Sequence, residues 1–238
     1  MPIDTAADFD AILFDCDGTL VDSEAPGMDV LHQVGQDVGV LFTREVAHAA
    51  FRGQSMESCI RYITSRMPAK ATEALSTWQA AAPDLPLAEL LTRQVREQQF
   101  SRFRQHLQVI AGAHELLANL RQPVCVATNG PRTKAELTLG LTGLLPHFID
   151  AHSDRLFTAY EVGHFKPEPG LFLHAAQALG AAPARCAVVE DSLPGVLAGL
   201  AAGMRVFAIG GHEPLPAAVA AQVRHIADLH ELDALLHG

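Results

Sequence analysis

Cysteine is scarce in this sequence. The four cysteines, at positions 16, 59, 125 and 186 of 238 residues, form no C-x-x-C pair and no disulfide-like cluster. This spacing excludes a disulfide framework as the basis of the fold. Cys125 and Cys186 lie within apolar runs, so we expect buried, reduced thiols there.

Membrane and targeting signals are also missing. No run reaches the roughly 18 apolar residues that a membrane helix needs. No basic segment followed by an apolar stretch opens the sequence, as a secretory signal would. We therefore expect a cytoplasmic protein without a membrane partner.

Basic residues are outnumbered by acidic ones. Only 17 Lys and Arg stand against 27 Asp and Glu, which gives a formal net charge of -10. Such an acidic field disfavours nonspecific binding to nucleic acids and anionic membranes. It leaves room for an anionic small molecule, because a few local Lys and Arg residues can dominate one cleft.

Four short, continuously apolar runs predict buried strands: 11–14, 124–127, 186–189 and 206–209. Without alternation, such runs are typical of a parallel sheet that is covered on both faces. Helical patterns over 131–141, 169–179 and 193–202 lie between the last three of these runs. Strands that alternate with helices predict a Rossmann-like, doubly wound α/β core.

The first strand breaks this alternation. About eighty residues of helical pattern follow it, with candidate helices at 25–38, 44–51, 56–65, 72–81 and 88–103. The simplest interpretation is a helical domain inserted into the α/β core. We predict a core of residues 1–20 and 104–238 and an inserted helical domain of residues 21–103.

The first candidate site element is D-C-D-G-T-L-V-D, which starts at Asp15 directly after a predicted strand. Asp15 and Asp17 would point to the same side of an extended segment, and Gly18 would permit a tight turn. One carboxylate could attack phosphorus while the other protonates the leaving oxygen and later activates water.

Three further elements follow predicted strands or lie in loops beside them, where open α/β sheets bind ligands. Thr128 and Asn129 precede a helix, where a hydroxyl and backbone N–H groups suit a phosphate oxygen. Lys166 lies between stiff prolines in K-P-E-P and could hold a phosphoryl group. Glu190 and Asp191 could offer oxygen ligands to Mg²⁺, and the next residue, a serine, could cap a helix.

Taken together, these motifs closely resemble those of the haloacid dehalogenase superfamily: D-x-D-G-T, then Ser or Thr, then Lys, then an acidic pair. The resemblance covers essentially the whole chain, including the inserted helical cap, and is closest to the β-phosphoglucomutase-like branch. It rests on F-D-C-D-G-T-L-V-D-S-E, T-N-G-P, L-F-T-A-Y-E-V, F-K-P-E-P and H-A-A-Q-A. Gly170 departs from the pattern, because many relatives have Asp there.

The resemblance implies a magnesium-dependent phosphatase that acts on a small phosphorylated sugar or sugar acid, such as 6-phosphogluconate. Asp15 would be the nucleophile, and Asp17 the acid/base that also offers its backbone carbonyl to Mg²⁺. Asp191 would be a metal ligand, and Glu190 would either bind the metal or orient the groups beside it.

Phosphate binding and substrate choice involve other residues. The resemblance implies that Thr128, Asn129 and Lys166 bind the phosphate. Arg52 in the cap and Lys134 in the core are candidates for contacting the rest of the substrate.

Three alternatives stay open. A phosphosugar mutase uses the same core, but mutases of this branch carry Arg in the cap loop where Met56 stands here. A haloalkanoic acid dehalogenase lacks the second Asp of the first motif, so Asp17 disfavours it. A phosphoacceptor receiver domain is a non-enzyme alternative, but it is about half as long and has no inserted domain.

Overall fold

The computed structural model describes residues 9–52, 54–210 and 214–237. The chain divides into two compact units. One comprises the residues up to Asp22 and from Gln108 onward, and the other comprises Ser23–Leu107. Within the described ranges, none of the helices has both the length and the hydropathy needed to cross a bilayer.

The first unit is built on a six-stranded sheet. Its strands are β1 (Ala11–Phe14), β4 (Val124–Thr128), β5 (Leu156–Thr158), β6 (Cys186–Glu190), β7 (Arg205–Ile209) and β8 (Arg224–Ile226). Their order is β5-β4-β1-β6-β7-β8, and all pairings are parallel. Two short strands, β2 (Val21–Asp22) and β3 (Gln108–Val109), form a separate antiparallel ribbon.

Helices cover both faces of the large sheet. They are α6 (Ala113–Asn119), α7 (Arg132–Leu141), α8 (Ala159–Val162), α9 (Gly170–Ala178), α10 (Leu193–Ala201), α11 (Ala217–Ala220) and α12 (Leu229–His237). Successive strand residues serve opposite hydrophobic clusters: Ile12 and Phe14 belong to one, and Leu13 to the other. Since both faces are buried, the strands are apolar throughout. The predicted doubly wound parallel sheet is confirmed.

The second unit is entirely helical within its described residues. It contains α1 (Glu24–Asp37), α2 (Arg44–Phe51), α3 (Met56–Thr64), α4 (Glu73–Ala81) and α5 (Leu87–His106). These helices share a hydrophobic core of their own, which includes Val34, Ile63, Leu90 and Val95. Thr43, Ser55 and Thr72 cap α2, α3 and α4 through their side-chain oxygens, which satisfies backbone N–H groups at the helix starts.

The unit boundaries differ from the predicted ones at 20/21 and 103/104. The compact units divide after Asp22 and after Leu107. There are two physical reasons: α5 continues to His106, and the β2–β3 ribbon adds a backbone pairing between Val21 and Val109 within the first unit.

Candidate active site

Three adjacent strands bring the predicted site residues to one edge of the sheet. Asp15 follows β1, Thr128 ends β4 and Glu190 ends β6, and β1 lies between the other two strands. The Asp15 N–H donates to the Val189 carbonyl at 3.0 Å, which fixes the backbone immediately beyond β1. Since parallel strands end at the same edge, residues far apart in sequence converge there.

Lys166 is buried against two carboxylates. Its Nζ donates to Asp15 Oδ1 at 2.5 Å and to Glu190 Oε1 at 2.6 Å, and it lies 4.8 Å from the centre of the Phe172 ring. The Asn129 side chain holds the Lys166 backbone from both sides, accepting from its N–H at 2.9 Å and donating to its carbonyl at 3.2 Å. The Asn129 side chain therefore connects the loop after β4 to the loop that carries Lys166.

Glu190 is fully buried, and both of its carboxylate oxygens accept hydrogen bonds. Oε1 accepts from Lys166, while Oε2 accepts from the Ser192 N–H at 2.8 Å and the Ser192 hydroxyl at 2.9 Å. Ser192 also caps α10, as predicted, because its hydroxyl accepts from the Gly195 N–H. A Cβ on Gly195 would collide with the Glu190 carboxylate, so this close packing requires glycine.

Asp191 packs against the turn that follows the first motif. Gly18 has φ +82°, and a Cβ there would collide with the Asp191 carboxylate. The buried Thr19 hydroxyl donates to Asp191 Oδ1 at 3.2 Å. Thr19 was not among the residues predicted from sequence, although it lies within the D-x-D-G-T motif that gave the signal.

Asp17 lies in a different setting from Asp15. The expected extended segment ends at β1, because the chain bends at Cys16 and turns at Gly18, so alternation does not apply to this pair. Asp17 Oδ2 forms an ion pair with Lys134 Nζ at 2.8 Å. Of the three lysines in the sequence, two therefore pair with Asp15 and Asp17.

The Thr128 hydroxyl lies close to Asp17. It accepts from the Gly130 N–H at 3.0 Å. A Cβ on Gly130 would lie 3.4 Å from Thr128 Oγ1 and 3.5 Å from Asp17 Oδ2, so both oxygens border the same small space. The structure thus brings together the predicted residues of the four motifs and adds Lys134.

Burial and neighbouring charges together determine the pKa values in the site. Burial raises the pKa of Asp15 to about 7; Lys166 opposes this shift, and Glu190 and Asp17 add to it. Burial also raises the pKa of Asp191 well above its ordinary value, with further contributions from Glu190 and Asp15. Burial alone would lower the pKa of Lys166, but Asp15 and Glu190 outweigh it and raise that pKa.

These residues fit a hard divalent cation. Their donor atoms are oxygens, which Mg²⁺ prefers. The pKa values of Asp15 and Asp191 are raised chiefly by burial and further by neighbouring carboxylates, so a bound cation would favour the charged form of both groups. Among the described residues, no three His, Cys, Asp or Glu side chains are grouped as metal ligands. Asp15 and Asp191 could supply oxygen ligands to a cation, together with backbone carbonyls or water.

Arg52 belongs to the second compact unit. It follows α2 directly and closes that helix with a backbone N–H bond to the His48 carbonyl. Its Nε is buried and has no hydrogen-bond partner within the described part of the chain. A guanidinium with an unsatisfied N–H is able to bind a polar ligand group.

The fold and the site together define a class of enzymes with a doubly wound α/β core, in which two carboxylates, a hydroxyl, a lysine and an acidic pair lie at or near the ends of parallel strands. The chain belongs to the haloacid dehalogenase-like hydrolase family, whose model matches residues 9–203. This confirms the resemblance in the sequence.

Individual relatives narrow the class to phosphatases. The chain is 30% identical over 228 residues to 6-phosphogluconate phosphatase of Escherichia coli K12, covering 94% of each chain. It is 31% identical to hexitol phosphatase A of the same organism, covering 94% of this chain and 89% of that protein. In fold, the chain is similar to a solved structure described as a putative β-phosphoglucomutase from Thermotoga maritima, with a TM-score of 0.75 at 22% identity. The match covers 96% of this chain and 100% of that chain. The protein is a phosphatase of this family.

Proposed function

We propose that the protein is a magnesium-dependent phosphatase that hydrolyses a small phosphorylated sugar or sugar acid through an aspartyl phosphate on Asp15. The observation that carries the proposal is the Asp15–Lys166–Glu190 cluster at the end of β1. A carboxylate held by a buried ammonium is a fixed nucleophile, and the ammonium can also hold the phosphoryl oxygens.

The proposed reaction has two steps: the phosphoryl group passes to Asp15 and is then hydrolysed, and Asp17 transfers a proton in both. Asp15 Oδ bonds to phosphorus as the ester P–O bond breaks, and the departing oxygen takes a proton from Asp17. A water oxygen then bonds to phosphorus as the Asp15–phosphorus bond breaks, and Asp17 takes the water proton. Phosphate is released, and both carboxylates return to their starting state.

Other residues hold the phosphoryl group and the metal. Thr128 offers a hydroxyl, and Asn129 precedes the N-terminus of α7, where backbone N–H groups suit an anion. Asp15, the Asp17 carbonyl and Asp191 would hold Mg²⁺, which supplies charge to offset that of the phosphate and the carboxylates. We assign Glu190 to orientation, because both of its oxygens already accept hydrogen bonds.

The substrate class is inferred from relatives. Proteins named 6-phosphogluconate phosphatase and hexitol phosphatase A match nearly the whole chain, so a polyol or sugar acid is the favoured leaving group. The four buried, free cysteines support a reducing compartment, and we propose the cytoplasm.

A phosphate-release screen tests this function. We expect release from 6-phosphogluconate or a related hexose or pentose phosphate when magnesium is present. EDTA should abolish release and added magnesium should restore it; full activity after thorough chelation would contradict metal dependence. Because Met56 offers no grip for a second phosphate, β-glucose 1-phosphate should not be converted to glucose 6-phosphate. Efficient conversion would support the mutase alternative instead.

Arg52 is the proposed contact for the distal part of the substrate. Arg52→Ala should raise KM for an acidic sugar phosphate more than for p-nitrophenyl phosphate, which has no distal carboxylate or hydroxyl. Arg61→Ala, which removes an exposed arginine of α3, is the matched control and should change neither KM. Equal effects of Arg52→Ala on both substrates would remove Arg52 from substrate recognition.

A further inference from the structure

Lys134 was expected to contact the distal end of the substrate, but its ammonium is paired with Asp17. Lys134 Nζ and Asp17 Oδ2 are 2.8 Å apart, and the two side chains are 23% and 29% exposed. The pair is therefore partly shielded from water, unlike an ion pair on an open surface. Partial burial makes such a contact more able to fix a side chain.

The backbone that carries Lys134 is firmly held. Lys134 is in the first turn of α7, where the Thr138 hydroxyl donates to its carbonyl at 3.0 Å. The start of α7 is anchored by Arg132, which donates to Glu161, to Asp154 and to the Leu156 carbonyl. Because this backbone is fixed, the Lys134 ammonium can reach only a limited region around it.

The pair also has a defined position relative to the phosphate-binding elements. The site of a Cβ on Gly130 lies within 3.5 Å of both Asp17 Oδ2 and Thr128 Oγ1, and 4.0 Å from Lys134 Cδ. The side chains of Asp17, Thr128 and Lys134 therefore all border the space beside Gly130. The Lys134–Asp17 pair thus borders the same space as the Thr128 hydroxyl, which would bind the phosphoryl group.

We propose that Lys134 is a positioning residue for Asp17, holding one carboxyl oxygen so that the other is directed at the ester oxygen of the substrate. The proposal rests on the function proposed above and deepens it by naming the group that orients the acid/base. In the first step the oriented Asp17 delivers its proton to the departing ester oxygen. The phosphoryl group passes to Asp15, and Lys134 neither gains nor loses a proton.

Phenyl phosphate and p-nitrophenyl phosphate separate this role from substrate binding. The two esters have nearly the same shape, and neither carries a distal group of a sugar acid. Phenolate is the poorer leaving group and needs a proton more than p-nitrophenolate does. Their kcat/KM values report only steps up to departure of the alcohol, so hydrolysis of the aspartyl phosphate does not contribute.

Lys134→Met keeps a long side chain but removes the ammonium. We expect it to lower kcat/KM for phenyl phosphate by at least about tenfold, and that for p-nitrophenyl phosphate by less than about threefold, because acid catalysis contributes about 10²–10⁴-fold where a proton is needed. Lys134→Arg should retain the leaving-group dependence of the unaltered protein, since it restores a donor. Lys70→Met, at an exposed position of the second unit, is the matched control.

The outcomes are distinct. An equal loss on both esters, with an unchanged unfolding midpoint, would overturn the positioning role. A raised KM for 6-phosphogluconate with no change on either aryl ester would return Lys134 to substrate recognition and also overturn it. Failure of the unaltered protein to hydrolyse any of the three esters with magnesium present would instead reject the function on which the proposal rests.

Discussion

Asp15 and Asp17 are separated by one residue, yet each has its own lysine and its own degree of burial. Asp15 and Lys166 are nearly inaccessible, with 11% and 2% of their side chains exposed. Asp17 and Lys134 are 29% and 23% exposed. The nucleophile needs a fixed position, whereas an acid/base must exchange protons with substrate and water, so the two environments suit the two proposed tasks.

The origin of this difference is the bend after β1. Asp15 is held by the Val189 carbonyl of β6, and its carboxylate lies among the buried groups beside that strand. After Cys16 the chain turns, and the Gly18 N–H donates to the Val21 carbonyl at 2.8 Å. A single turn thus gives adjacent carboxylates different neighbours, different desolvation and different proposed chemistry.

The largest expected effect is on the Asp15 side. Asp15→Asn retains the shape of the side chain but removes the attacking anion, so kcat for phosphate release should fall by about 10³-fold or more. Asp22→Asn, which alters an exposed residue of β2, should retain nearly full activity. Circular dichroism should show both variants folded. More than about a tenth of the activity in Asp15→Asn would contradict a covalent mechanism.

A stability comparison sharpens the contrast between the two pairs. Glu190→Ala removes one carboxylate from a fully buried cluster, and with it one of the two acceptors of Lys166 and the acceptor of the Ser192 N–H and hydroxyl. It should therefore cost about 3 kcal/mol of unfolding free energy. Asp17→Asn changes a partly exposed pair and should cost under about 1 kcal/mol. Denaturant unfolding of the two variants measures both values. Equal costs would mean that burial does not distinguish the pairs.

A smaller effect concerns pH in the metal-free protein. The folded pKa of Asp15, about 7, lies above its unfolded value of about 4. The folded state therefore binds the proton more tightly between these values, and stability should fall as pH rises from about 4 to 7. Asp15→Asn should flatten this slope in thermal unfolding with a chelator present. An unchanged slope in the variant would contradict the raised pKa.

The fold could be predicted where the sequence carried continuously apolar runs. The runs behind β1, β4, β6 and β7 gave strands within one residue of the observed bounds. β5 and β8 were missed because each has only three residues, and two of the three in β8 are exposed. Length and composition give no signal for such short edge strands, which form by pairing with a longer neighbour.

The site could be predicted only up to the identity of its motifs. The four motifs could be identified because each lies at or near the end of a predicted strand. The sequence alone does not show that Lys134 reaches Asp17 or that Asn129 holds the Lys166 backbone. These contacts depend on where the fold places α7 and the loop that carries Lys166. The Thr19–Asp191 bond likewise joins residues whose proximity only the sheet topology provides.

In the proposed reaction Asp15 accepts the phosphoryl group, and Asp17 is needed to release it. Incubating Asp17→Asn with p-nitrophenyl phosphate and magnesium, followed by rapid acid quenching and peptide mass spectrometry, tests it most directly. We expect one added phosphoryl group on the peptide that contains Asp15, and we expect hydroxylamine to remove it. Release of p-nitrophenol with no phosphorylated peptide, or a phosphoryl group on another residue, would contradict it.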